Sequence, residues 1–171
     1  MNIDKILVLG ATGMLGKPVV KHLVEHGYSV RILVRDGVKA AEMFSSGVEI
    51  VHGDLTNEDS LSYALAGCDA VHISLPETIE LNATRDVIRL VRKNRVQRIT
   101  YVSATTAMEE NKSYPRVAVK LRTESLLKDS GIPYVVFCPT WAMETLPNFA
   151  RGNQVTIIQG KNPPPLHFFA G

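Results

Sequence analysis

The chain has 171 residues, of which 45% are hydrophobic and 21% charged, so it can bury one sizeable core without disulfides or metal ions. Its formal net charge is only +2, and its lysines and arginines are dispersed, so no extended basic tract indicates a nucleic acid or a membrane surface as a partner. Neither a signal peptide nor an apolar stretch of roughly 20 residues is present, so we expect a cytoplasmic protein that does not enter a membrane.

Short apolar runs recur along the chain, with helical patterns between them. The runs cover residues 5–9, 29–34, 49–51, 70–74, 98–103 and 134–138. Valine, isoleucine and leucine follow one another there with little polar alternation, as in strands covered on both faces. This alternation of strand and helix predicts an α/β fold, a doubly wound parallel sheet with helices on both faces.

A glycine-rich turn follows the first predicted strand and precedes the first predicted helix. Its glycines have the spacing G-x-x-G-x-x-G, and a helix N-terminus after such a turn offers free N–H groups to a phosphate. The turn predicts a Rossmann-like dinucleotide site, although it could merely pack the helix on the strand. We expect the pyrophosphate to be surrounded by Gly10, Thr12, Gly13, Met14, Leu15 and Gly16.

The predicted helices follow from apolar spacing and from their stop signals. The first ends at Gly27, and another begins near Thr56 and ends at Gly67. Two longer helices are expected over residues 80–93 and 116–128. Domain 1–150 would then be the dinucleotide-binding unit. Residues 151–171, with one short strand at 155–158, would be a fragment of a substrate-side segment, so the C-terminal substrate portion is expected to be truncated or reduced.

Two charged residues after the second predicted strand bear on the choice of cofactor. Arg35 can pair with a 2′-phosphate through parallel N–H contacts, which favours NADP. Asp36 stands twenty positions after Gly16, about where a ribose-binding acid is expected, so NAD stays open. Both side chains could also be solvated loop charges.

Serines follow the fourth and fifth predicted strands. Ser74, with Leu75, and Ser103 lie at the carboxyl edge of the sheet, where open α/β folds bind ligands. We expect these loops to wall the nicotinamide side of the site. An ordinary turn role for both serines is the alternative.

Four segments carry a resemblance to a known family. They read Val8-Leu9-Gly10-Ala11-Thr12-Gly13-Met14-Leu15-Gly16, Leu33-Val34-Arg35-Asp36, Gly53-Asp54-Leu55, and Ser130-Gly131-Ile132-Pro133-Tyr134 leading to Pro139-Thr140. In these the chain resembles atypical short-chain dehydrogenases/reductases of the NmrA-like kind. Such proteins are usually longer, so the resemblance implies a cofactor half plus a fragment.

The resemblance also implies roles for single residues. Asp54, beside Leu55, would contact the adenine amino group; the alternative is that it caps a turn ahead of Thr56 and Asn57, and the two roles can coexist. Lys120 and Glu124 resemble the Lys-x-x-x-Glu of this family, in which the lysine reaches the nicotinamide ribose. A plain surface ion pair explains the same spacing. Pro139, after the last strand, would complete the cofactor contacts.

The usual catalytic pair of the wider superfamily is missing. Tyr-x-x-x-Lys would need a tyrosine where Arg116 stands, four residues before Lys120. Tyr114 is six residues from Lys120, roughly 120° off its helical face, and precedes Pro115. Lys120 and Ser103 are therefore the candidate catalytic residues, and any proton would come from solvent or Lys120.

The cysteines and histidines show no metal-ligand spacing, so no metal site is expected. Cys68 and Cys138 stand in apolar contexts and are expected to be buried free thiols. His72 lies inside an apolar strand and is interpreted as a core histidine more than as a catalyst.

These features predict an NAD(P)H-binding protein, an NADPH-dependent reductase of a small carbonyl or quinone-like substrate. The missing tyrosine favours an alternative, a non-catalytic redox sensor or regulatory protein. A sugar-nucleotide epimerase or dehydratase is a weaker alternative, because its chemistry uses that tyrosine. A homo-oligomer or a regulatory protein partner is compatible with either main hypothesis.

Overall fold

The central element of the fold is a six-stranded parallel sheet. The computed structural model describes residues 2–44, 47–142, 145, 150–151, 154–155 and 168–169. The strands are β1 (Lys5–Leu9), β2 (Ser29–Val34), β3 (Val48–His52), β4 (Ala70–Ile73), β5 (Arg98–Val102) and β6 (Tyr134–Phe137). They lie in the order β3-β2-β1-β4-β5-β6, so the strand order reverses between β1 and β4. Ligands of open α/β sheets bind at such a reversal.

Five α-helices connect the strands. They are α1 (Gly16–Glu25), α2 (Gly37–Met43), α3 (Glu58–Leu65), α4 (Glu77–Asn94) and α5 (Pro115–Asp129). The predicted strands and helices are confirmed to within a few residues. Helix α4 is longer than predicted: it begins at Glu77, directly after Pro76, and not at Glu80. A proline before an acidic first turn favours an earlier start, because Glu77 and Glu80 complement the helix dipole.

Short strands follow β6. They are β7 (Trp141–Ala142), β8 (Ala150–Arg151), β9 (Gln154–Val155) and β10 (Phe168–Phe169), with β10 parallel to β7 and β8 antiparallel to β9. Of the strand expected at 155–158, only Val155 belongs to the described residues, as the end of β9; residues 156–158 lie outside them.

The two faces of the sheet carry separate apolar clusters. On one face α3, α4 and α5 bury alternate strand residues such as Leu7, Val71 and Ile99. On the other, α1 and α2 bury the residues in between, among them Val8 and Ile32. Helices on both faces are therefore confirmed. The second cluster is smaller because α1 and α2 do not extend over β5 and β6.

Among the residues that the structure describes, no helix covers the α1 side of β5 and β6. An apolar groove of about 630 Å³ lies there, with Val102 and Phe137 in its wall. Phe137 is 51% exposed, so the expectation that every strand is covered on both faces is wrong for β6, an edge strand. The edge position of β6 also explains why the expectation of two buried cysteines is wrong. Cys68 is buried as expected, but Cys138, directly after β6, is exposed.

His72 of β4 is buried at the edge of this groove. Its Nδ1 lies 2.8 Å from Thr100 Oγ1, while Nε2 has no hydrogen-bond partner among the described residues. Burial lowers the pKa of His72 from its usual 6.5 to about 4. The interpretation of His72 as a core histidine is therefore confirmed, with one ring nitrogen unsatisfied.

The lowered pKa of His72 predicts a pH-dependent stability. The unfolded chain binds a proton near pH 6.5 that the folded chain binds only near pH 4. Stability from this source is complete above pH 6.5 and is lost as the pH falls towards 4, by up to about 3 kcal/mol. His72→Phe should flatten this slope in urea denaturation measured at several pH values. An unchanged slope would contradict the assignment.

Candidate functional site

The glycine turn after β1 is tightly packed backbone. Gly10 has a φ of 84°, and a Cβ there would lie 1.9 Å from the carbonyl oxygen of Ser74. A Cβ on Gly16 would lie 2.1 Å from the carbonyl oxygen of Gly10. Only glycine fits at either position, so β1 can run into α1 with its turn held close against the end of β4.

Free backbone donors remain in this turn. Gly13 N–H donates to Gly10 O at 3.0 Å, and Lys17 N–H donates to Gly13 O at 3.0 Å. Within the ranges the structure describes, the N–H groups of Thr12, Met14 and Leu15 have no acceptor. Unpaired N–H groups ahead of a helix N-terminus fit an anion, so the residues present suit a pyrophosphate.

A cleft of about 640 Å³ opens beside this turn at the carboxyl edge of β1, β2, β3 and β4. Most of the residues predicted to hold a cofactor line it: Gly10, Thr12, Gly13, Arg35, Asp54, Leu55, Ser74 and Leu75. Six predicted residues do not line it: Ser103, Lys120, Pro139 and three residues of the glycine turn. Met14 is half exposed outside the cleft, Leu15 lines the apolar groove, and Gly16 is the buried first residue of α1.

The cleft end at β2 carries two cationic side chains. Arg35 and Lys39 both line it, four residues apart across the start of α2. Asp36 also lies there, but its Oδ1 accepts from the backbone N–H of Lys39 at 3.0 Å, as the N-cap of α2. This capping bond uses one oxygen of the carboxylate, so the other can still accept from a ribose hydroxyl and NAD stays an alternative. Lys39 was not predicted from the sequence, although its position four residues after Arg35 could have indicated it.

Asp54 closes the turn after β3. Its Oδ1 accepts from the backbone N–H and the hydroxyl of Thr56, both at 2.8 Å. These hydrogen bonds, led by that from the backbone, hold the pKa of Asp54 below its usual value. The turn-capping role is confirmed, and the carboxylate stays ionised at the rim of the cleft. Its contact with adenine stays a prediction.

Lys120 does not pair with Glu124. Its Nζ donates to Glu80 Oε2 at 2.7 Å and to the carbonyl oxygen of Val102 at 3.0 Å. Glu124 instead accepts a hydrogen bond from the hydroxyl of Ser103. Both the surface ion pair and a Lys120–Glu124 contact are therefore wrong. The reason is tertiary: α4 brings a buried carboxylate closer to the ammonium than its own helix does.

Two residues near Lys120 were not found from the sequence. Glu80 is fully buried, and Tyr101 OH donates to its Oε1 at 3.1 Å. Glu80 stands three and seven residues before Ala83 and Val87, on the buried face of α4. An acidic residue among the apolar residues of this face could have indicated Glu80 from the sequence. Burial is the main cause that raises the pKa values of both Glu80 and Tyr101.

Three further residues considered from the sequence, Tyr114, Ser103 and Pro139, do not line the cleft. Tyr114 is 65% exposed and is the N-cap of α5, in agreement with its exclusion as a proton donor. Ser103 is buried after β5, and its N–H donates to Phe137 O at 2.8 Å. Pro139 lines the apolar groove and not the cleft.

Comparison with known proteins agrees with this geometry. The model of the NmrA-like family matches residues 2–163. The photosystem II assembly factor Ycf39 of Cyanophora paradoxa is 33% identical over 141 residues, which are 77% of this chain and 44% of that protein. The chain thus spans about half the length of the curated relatives it matches.

Solved structures with bound cofactor share the fold. One is the NADPH-dependent quinone oxidoreductase QOR2 of Escherichia coli complexed with NADPH, with a TM-score of 0.71 and 26% identity, covering 84% of this chain and 53% of that one. Another is the triphenylmethane reductase of Citrobacter sp. complexed with NADP(H), with a TM-score of 0.68 and 28% identity, covering 82% and 50%.

Within the described ranges, no helix combines the length and the apolar character needed to cross a bilayer.

Proposed function

The chain belongs to the NmrA-like family, and on that premise we propose that it binds NADP(H) in the cleft and reduces a small carbonyl or quinone-like substrate. The observation that carries the proposal is the cleft itself. It joins the glycine turn, in which the free N–H of Thr12 lines the cleft, to an end that carries Arg35 and Lys39.

Each part of the cleft suits one part of the cofactor. The N–H groups of the glycine turn would hold the pyrophosphate. Arg35 and Lys39 would hold the 2′-phosphate, and the ionised Asp54 would accept from the adenine amino group. Ser74 and Leu75 continue the cleft towards β5, the side on which we place the nicotinamide.

The reaction then depends mainly on how the nicotinamide and the substrate are positioned relative to each other. A bound nicotinamide supplies the hydride, and the chain's own task is to orient the cofactor and the acceptor. We place two residues near the acceptor: Ser103, which follows β5, and Lys120 of α5, whose ammonium reaches the last residue of β5. A quinone-like acceptor suits this arrangement because its reduction can draw the proton from solvent.

We place the protein in a reducing compartment, which agrees with Cys68 and Cys138 being free thiols.

Cofactor choice gives the first test. Arg35→Ala and Lys39→Ala should each weaken NADPH binding about tenfold and leave NADH binding within about twofold, because each removes a charged contact to the 2′-phosphate only. Isothermal titration calorimetry with both nucleotides measures this. Lys21→Ala is the matched control: Lys21 pairs with Glu25 on α1, away from the cleft. Unchanged NADPH affinity in both variants would refute the assignment.

A second function is favoured by one observation. The Lys120 ammonium is already held by Glu80 and by the Val102 carbonyl, and Tyr-x-x-x-Lys is missing, so the chain could bind the dinucleotide without turnover. It would then act as a redox sensor or regulatory protein with a protein partner. Similarity to an assembly factor supports this reading.

One experiment separates the two functions. NADPH absorbance is followed with a panel of quinones and aldehydes, and NADPH affinity is measured on the same preparation. Consumption that depends on the substrate supports the reductase. Tight binding without consumption across the panel supports the sensor, and absence of binding refutes both.

A further inference from the structure

The buried pair of Glu80 and Lys120 lies beside the cofactor cleft. Thr78 and Ile79, the two residues before Glu80 in α4, line the cleft. Lys120 of α5 reaches the carbonyl oxygen of Val102, the last residue of β5. The pair therefore joins α4, α5 and β5 at the carboxyl edge of the sheet, next to the cleft.

The carboxylate of Glu80 uses both oxygens within this cluster. Oε2 accepts from Lys120 Nζ at 2.7 Å, and Oε1 accepts from Tyr101 OH at 3.1 Å. Nζ also lies 5.1 Å from the centre of the Tyr101 ring, within reach of a cation–π contact. Three neighbours thus fix the ammonium in one place without any ligand.

Lys120 keeps one donor for a ligand. An ammonium has three N–H donors, and two of them have acceptors among the described residues, Glu80 and Val102. The Lys120 side chain is 19% exposed, whereas that of Glu80 is fully buried. The exposed partner of the pair is therefore the one that can meet a bound molecule.

Stability alone does not account for this pair. Burial raises the pKa of Glu80 against the opposing influence of Lys120 and Tyr101, so the carboxylate is held at a cost. Apolar residues of similar volume often replace a buried ion pair with no loss of stability. A role in holding Lys120 gives the carboxylate a function that an apolar side chain could not supply.

We propose that Glu80 is a positioning residue that holds the Lys120 ammonium at the end of β5, leaving its third N–H for an oxygen of the nicotinamide ribose. The inference rests on the proposed function, because it places the nicotinamide end of a dinucleotide beside Ser103. It assigns Glu80 no contact with the cofactor. All of its effect on binding passes through Lys120.

The first test uses the protein without cofactor. Glu80→Gln preserves the shape of the side chain but removes its charge, so Lys120 should react about tenfold faster with an amine-specific reagent, as measured by mass spectrometry. Lys21 and Lys112, exposed on α1 and in a short helical turn, serve as internal controls and should not change. An unchanged rate at Lys120 overturns the proposal.

The matched control is Glu77→Gln. Glu77 lies one turn before Glu80 and binds Arg116 of α5 at 2.9 Å, so this variant also breaks an ion pair between α4 and α5. It does not touch Lys120. Labelling of Lys120 should stay as in the unmodified chain, and acceleration equal to that of Glu80→Gln would overturn the proposal by indicating general loosening of α4 against α5.

The second test is a double-mutant cycle on NADPH affinity. Lys120→Met should weaken binding about tenfold and Glu80→Gln about fivefold, while the double variant should match Lys120→Met within about twofold. If Glu80 only stabilised the fold, the fold-losses of NADPH affinity of the two single variants would multiply in the double variant. That result, or no effect of either single variant, overturns the proposal.

The outcomes separate this inference from the proposed function. Failure of the unmodified chain to bind NADPH refutes the proposed function, whereas NADPH binding with multiplied effects refutes only the role of Glu80. If Lys120→Met does not fold, the labelling of Glu80→Gln against Glu77→Gln still decides the question, because both variants are nearly isosteric.

Discussion

Gly16→Ala should abolish measurable NADPH binding and lower the free energy of unfolding by about 3 kcal/mol. The new Cβ would lie 2.1 Å from the carbonyl oxygen of Gly10, 2.8 Å from its carbonyl carbon and 2.9 Å from Ala11 Cα. All three atoms belong to the backbone, so no side chain can rotate away. The turn must open, and its free N–H donors would lose the arrangement that suits a pyrophosphate.

Gly37→Ala is the control for this substitution. Gly37 is the first residue of α2, and nothing lies within 4 Å of a Cβ placed there. An alanine should change stability by no more than about 1 kcal/mol, in the stabilising direction. Urea denaturation and calorimetric titration with NADPH measure both variants. Tight NADPH binding by a stable Gly16→Ala chain would show that the turn does not hold the cofactor.

Arg31→Met should lower the free energy of unfolding by about 3 kcal/mol, although Arg31 lies away from the cleft. Arg31 is 8% exposed within β2. Its Nη1 donates to Ala64 O at 2.9 Å and to Ala66 O at 2.6 Å, and its Nη2 pairs with Glu49 at 2.9 Å. Methionine would leave the last carbonyl groups of α3 without a donor and Glu49 with only Lys5 as a partner.

Arg89→Met is the matched control for Arg31→Met. Arg89 binds Glu58 and Asp86, but these side chains are all more than 40% exposed. Exposed ion pairs contribute little, so the loss should stay below about 1 kcal/mol. Thermal unfolding monitored by circular dichroism compares the two variants. Equal losses would contradict the structural role of the buried guanidinium.

Much of the sheet could be predicted because parallel strands need continuous apolar residues. All six runs became strands, and the apolar spacing and stop signals placed four of the helices between them, whereas α2 was not predicted. The buried Arg31 did not disturb the prediction of β2, since a single charge is outweighed by its apolar neighbours. Its partners could not be foreseen, because they are backbone carbonyls at the end of α3, more than thirty positions away.

The site was predicted as far as local sequence determines it. The glycine turn and Arg35 follow their strands directly, so their place at the cleft could be inferred from the topology. Glu80 and Lys120 are forty positions apart and meet only because α4 and α5 pack side by side. The spacing of Lys120 and Glu124 within one helix was the only local evidence, and tertiary packing overrode it.

The unequal clusters on the two faces of the sheet divide the cleft into regions of different local stability. The phosphate end, with the glycine turn and Arg35, lies next to α1 and α2, which pack on the smaller cluster. The nicotinamide end leads to α4 and α5, which pack on the larger one. A ligand that contacts both ends would link the region packed on the smaller cluster to the region packed on the larger one, and would therefore raise the free energy of local unfolding of the former.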